Sequence, residues 1–110
     1  MKIKISKDFS YAPGPRYKRE GENSGEKFRE EVLLRAVQEA IRTNQKLTID
    51  LDGAAGYGRS FLEESFGGLI RVDHLNYDAI MKVLEVVSKE QPFWRIKILE
   101  YLKEAHEHQR

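Results

Sequence analysis

No cysteine occurs among the 110 residues, which excludes disulfides, thiolate metal ligands and cysteine nucleophiles and makes a cytoplasmic address the default expectation. No apolar run approaches the roughly 20 residues of a membrane span, and Met1-Lys2-Ile3-Lys4-Ile5 lacks the apolar stretch of a signal peptide. Proline is scarce: Pro13 and Pro15 punctuate one irregular segment, and Pro92 falls where a helix opens. Charge of one sign is lacking too. Nineteen Lys and Arg against eighteen Asp and Glu leave a formal +1, so no global field draws the chain to nucleic acid or to an anionic membrane. At this length one compact domain over 1–110 is expected, and two independent cores are not.

The patterns that are present predict alternating strands and helices. Residues 2–6 alternate polar and apolar, as does 47–52, and 84–88 reads as a third strand. Ile3 and Ile5, with Leu47, Ile49 and Leu51, would face a core, whereas Thr48, Asp50 and Asp52 would face away. Strands covered on both faces read as continuous apolar runs, so the alternation predicts helices on one face only. Residues 8–24 read as a basic loop carrying Arg16, Lys18 and Arg19, with room for an edge strand within 8–19. A helix from 24 or 25 to 43 carries Phe28, Leu33, Val37 and Ala40 at three-to-four spacing, with Asn23 and Glu26 placed to cap it. A second helix over 60–71, a short one near 77–83 and a last one from about 92 to 106 follow. The last is apolar over more than one stripe, which suits either deep packing or docking.

Gly53-Ala-Ala-Gly-Tyr-Gly-Arg-Ser60 joins a predicted strand to a predicted helix and reads G-x-x-x-x-G-R-S, one residue from a phosphate-cradling loop. Arg59 stands where that motif needs a compact lysine ammonium, and a planar guanidinium fits poorly between two phosphates. The plain structural reading of the same residues is a tight turn, with Ser60 and Glu63 forming a capping box. Gly53, Gly56 and Gly58, with Tyr57 and Arg59 projecting, also suit a partner-binding or anion-binding loop, including a phosphate on Ser60 itself. Gly67 and Gly68 lie beside Glu63, Glu64 and Arg71, where bare backbone permits close approach by another chain or by another helix of the same fold. Asp50 and Asp52 are expected to pair with Lys2 and Lys4 on a neighbouring strand rather than hold a metal. His74, His106 and His108 are scattered and predict no metal site; no cofactor is implied.

Asp50-Leu-Asp-Gly53, Gly56-Tyr57 and Ser60-Phe-Leu-Glu-Glu-Ser-Phe-Gly-Gly-Leu69 resemble the bacterial STAS-like domain family of unknown function, a distant relative of the STAS domains of anti-sigma-factor antagonists and sulphate transporters. Gly14-Pro-Arg16, Ser24-Gly-Glu-Lys-Phe-Arg29 and Leu84-Glu-Val-Val-Ser88 extend the likeness over most of the chain. In the antagonists a serine at the strand-to-helix turn is phosphorylated by a partner kinase, and Ser60 occupies that position. Those relatives carry an Asp-Ser-Ser-Gly-like turn where this chain has Gly58-Arg-Ser-Phe61. The resemblance implies a two-layer α/β (α+β) domain with a small mixed sheet and helices packed mainly on one face. It also implies a non-catalytic regulatory or protein-interaction module switched at Ser60, with a histidine-kinase-like ATPase as partner. Partner contacts are expected at loop 53–60 and along the exposed side of helix 60–71, at Glu63, Glu64, Gly67 and Gly68. The alternative is a small phosphate- or nucleotide-binding protein using loop 53–60, with Arg16 or Arg19 completing an anion pocket. The +1 is a cancellation between basic 16–19 and acidic Asp50, Asp52, Glu63 and Glu64, so the surface is expected to divide into charged patches.

Overall fold

A computed structural model describes residues 1–109. Strand β1 (Lys2–Lys4) ends in a single helical turn, α1 (Ile5–Asp8), where the carboxylate of Asp8 accepts from the Lys4 backbone N–H at 2.7 Å. The predicted strand therefore stops two residues early. Residues 9–24 hold a 3-10 turn (Lys18–Glu20) and no strand, so the edge strand expected within 8–19 does not form. Helix α2 spans 25–43, with a π-helical stretch at Arg29–Leu33 between α-helical Gly25–Phe28 and Leu34–Thr43. Its cap is Ser24, which accepts from the Lys27 N–H at 3.0 Å. Asn23 takes a positive φ of 55° instead, and Glu26 turns to the Lys18 N–H, so the expected pairing of Asn23 with Glu26 is replaced by one step.

Strand β2 (Leu47–Asp50) leads through loop 51–58 into α3, residues 59–71, which has its own π-helical stretch at Glu63–Gly67. Helix α4 (Tyr77–Val83), strand β3 (Leu84–Val87) and helix α5 (Phe93–Glu107) complete the chain. The sheet order is β1-β2-β3 and both pairings are parallel, with Ile3 beside Ile49 and Ile49 beside Val86. The expected mixed sheet is thus purely parallel, because every connection between successive strands is a helical crossover and none is a hairpin. Successive right-handed crossovers in one direction leave their helices on the same side. The side chains agree: Ile3, Leu47, Ile49, Leu84 and Val86 enter one core with Phe28, Phe61, Phe66 and Ile98, while Lys2, Lys4, Thr48 and Glu85 stay on the open face.

Asp50, on that open face, lies 3.4 Å from Lys4 Nζ and 3.7 Å from Lys2 Nζ, as the alternation predicts. Burial works to raise its carboxyl, but the Asp52 backbone N–H and then Lys4 outweigh it and hold it below the ordinary aspartate range. Asp52 does not join this cluster. It turns to accept from the backbone N–H groups of Lys89 and Glu90, at 3.1 and 3.0 Å, and so ties the loop after β2 to the turn after β3.

Candidate functional site

The strand-to-helix loop is held from three sides. Gly53 has φ 92°, a left-handed conformation that glycine tolerates, and its N–H donates to Glu90 Oε1 at 2.8 Å. Ala55 N–H donates to the Tyr11 carbonyl at 2.8 Å. Tyr57, half-buried, turns its hydroxyl inward to the Leu51 carbonyl at 2.7 Å and sets its ring beside Phe61, rather than projecting as a contact residue. Burial first, and then Asp50, Asp52 and Glu90, push its phenol above the ordinary tyrosine range. Two amides that a phosphate cradle would aim at its ligand are thus committed inside the chain, one of them to a carboxylate.

Helix α3 begins one residue earlier than its apolar stripe suggests. Gly58 is the N-cap, with no side-chain cap bond, Arg59 is the first helical residue and Ser60 the second; both are exposed. The expected capping box between Ser60 and Glu63 does not form, because Glu63 is drawn away by two arginines. Arg16 Nη1 and Arg71 Nη1 each lie 2.5 Å from a Glu63 oxygen. Burial works to raise the Glu63 carboxyl, yet the hydrogen bonds from Arg71 and Arg16 hold it below the ordinary glutamate value. The Ser60 hydroxyl is therefore free of helix-capping duty and stands in the first turn, where helix amides favour negative charge.

Below this turn lies a cluster that sequence reasoning missed. Arg29, 2% exposed, donates to Glu64 Oε2 at 2.6 Å and to Asp73 Oδ2 at 3.0 Å. Glu64, 3% exposed, also lies 3.2 Å from Arg71 and 3.4 Å from Arg16. The two π-helical stretches supply Arg29, Glu63 and Glu64, so this clamp joins the basic loop, α2 and α3. Gly68 makes room for it: a Cβ there would stand 2.8 Å from Arg29 Nη1. A Cβ at Gly67 would collide with the Glu63 carboxylate.

These contacts correct three expectations and decide between two alternatives left open for the paired glycines. Glu64, Gly67 and Gly68 are buried, so the exposed part of 60–71 reduces to Ser60 in the first turn of α3 and Arg71 at its end, with α2 and α5 packed along the stretch between. The close approach allowed by the two glycines is made by side chains of the same fold. The basic residues do not gather into one anion pocket: Arg16 and Arg29 serve the clamp, Lys18 pairs with Glu30, and Arg19 lies over the Tyr17 ring at 4.7 Å. Basic 16–19 and acidic 63–64 are likewise not separate patches, because Arg16 joins them. A cleft of about 540 Å³ opens beside the clamp, lined by Arg16, Glu63, Arg71, His74, Glu104 and His108.

The comparison with protein families decides the affiliation. A model described as a STAS-like domain of unknown function (DUF4325) matches residues 24–92, well over half of the chain. The chain belongs to this STAS-like family. The matched stretch of the STAS-like chain takes in the Ser24 cap, the Arg29–Glu64 pair, loop 53–60 and β3, while β1, Arg16 and α5 lie outside it. No curated protein and no solved structure matches the chain. Membership supports a regulatory or interaction module, and among the described residues no helix is long and apolar enough to cross a membrane.

Proposed function

We propose that this STAS-like chain is a non-catalytic regulatory module that meets a protein partner at the first turn of α3, with Ser60 as its phosphoacceptor. The partner is a serine kinase of histidine-kinase-like ATPase type, as in the antagonist relatives that the sequence resembles. The observation that carries this reading is the setting of Ser60: exposed, second in its helix, next to exposed Arg59, and relieved of capping by Gly58. A dianion there meets unpaired helix amides and a neighbouring guanidinium, so the fold tolerates it while the surface a partner meets reverses in charge. Tyr57 and the buried clamp act as supports that fix the turn, and Arg59 and Ser60 make the contact. The test is capture of partners from the native host on the tagged chain, with intact-mass measurement of the bait. The expected result is an ATP-binding partner and one phosphate, absent from Ser60→Ala. Recovery of no partner, or a phosphate unaffected by Ser60→Ala, refutes the assignment.

A further inference from the structure

The two edges of the three-stranded sheet are unlike. Thr48 N–H donates to the Met1 carbonyl, so the backbones of Met1 and Ile3 face β2 and those of Lys2 and Lys4 face outward. That edge is guarded. It carries two lysines, and Asp8 of α1 takes the outward N–H of Lys4.

At the other edge Leu51 N–H donates to the Val87 carbonyl, so Glu85 and Val87 aim their backbones at β2 while Leu84 and Val86 aim theirs away. Ile80 accepts from the Leu84 N–H. The Val86 N–H and C=O have no hydrogen-bond partner among the described residues. Three of the four β3 residues are apolar, and none is a lysine or proline. Helix α5, which follows, leaves Phe93 and Ile96 exposed at 46% and 57%. The side chain of Val86 belongs to the core, so what this edge offers is backbone.

We propose that two copies of this chain pair antiparallel along β3, about a two-fold axis at Val86. Each Val86 then donates its N–H to the other's carbonyl, and the two sheets become one six-stranded sheet. The pairing is closed, because the same patch serves both copies and nothing is left to propagate. The charges suit it. Glu85 falls opposite Val87 of the copy and not opposite another carboxylate, and the end of β3 that follows Lys82 meets the end that precedes Glu90. The side chains of Glu85 and Val87 lie on the open face of the sheet, clear of the core and of Ser60.

The test is sedimentation equilibrium of the full chain over a concentration series, with two variants chosen for opposite effects. Val87→Lys sets a lysine opposite Glu85 of the copy, beside Asp50 in its own sheet, and lowers the dimer Kd about threefold. Glu85→Lys with Val87→Lys sets lysine opposite lysine at both symmetry-related pairs and raises Kd about tenfold. Circular dichroism confirms that both remain folded, and deuterium exchange at the Val86 amide slows as the wild-type dimer fills. Loss of fold would weaken association in any variant, but it cannot tighten one and loosen the other. A wild-type chain that stays monomeric at every concentration, or a dimer indifferent to the double substitution, overturns the proposal; the first result assigns the edge to a different chain.

Discussion

Replacing Arg29 with methionine removes the centre of the buried clamp while keeping most of the side-chain volume. Arg29 and Glu64 are 2% and 3% exposed, and their 2.6 Å contact joins α2 to α3. Breaking a buried pair by removing one partner costs about 3–5 kcal/mol, because the charge left behind stays desolvated. Here Glu64 retains Arg71 at 3.2 Å and Arg16 at 3.4 Å, which places the cost at the low end, about 3 kcal/mol. Against a domain stability of roughly 5–15 kcal/mol that is a large fraction. It corresponds to a Tm lower by on the order of 12 °C. Urea unfolding followed by far-UV circular dichroism reads the value directly. The double variant Arg29→Met with Glu64→Leu removes both buried charges and regains at least half of the loss, since apolar pairs replace buried ion pairs at little cost. A loss below about 1 kcal/mol in Arg29→Met, or a double variant worse than the single, refutes the view that this pair is what locks α2 to α3.

Two further predictions concern the same region. Gly25→Ala drives a Cβ into the backbone carbonyl of Phe61, which cannot swing aside as a side chain would, so a loss of about 1–3 kcal/mol is expected in the same urea assay. Glu63, whose folded pKa is depressed below its ordinary 4.5, contributes stability that is whole above that pH and is lost as pH falls through the lower folded value. Stability measured from pH 6 downward is therefore expected to fall less steeply in Glu63→Gln than in the wild type, and an unchanged slope contradicts the assignment.

Strand alternation made the open, polar face of the sheet legible in the sequence, down to the pairing of Asp50 with Lys2 and Lys4, because register and burial follow from period two. The helices were legible from their apolar spacing. The all-parallel order was not, since it depends on how helices cross over rather than on the strands themselves. The π-helical stretches were hidden as well: one extra residue per turn barely disturbs an apolar stripe. Ser60 read as a cap because Ser-x-x-Glu is a local pattern, and one of the two arginines that claim Glu63 stands 47 residues away, at Arg16. Arg29 gave no local sign of its partners for the same reason, since Glu64 and Asp73 stand 35 and 44 residues away. The signal that marks its burial was in the sequence: two adjacent glycines, Gly67 and Gly68, inside a helix otherwise rich in large side chains.

In the proposed function the first turn of α3 is a charge-switched contact. Isothermal titration of the captured partner with wild-type, Ser60→Ala and Ser60→Asp chains tests it most directly. Ser60→Asp is expected to weaken binding about tenfold or more, the size of a charge mismatch at an interface, while Ser60→Ala binds as the wild type does. Equal affinity for all three chains, with all three shown to be folded, contradicts it.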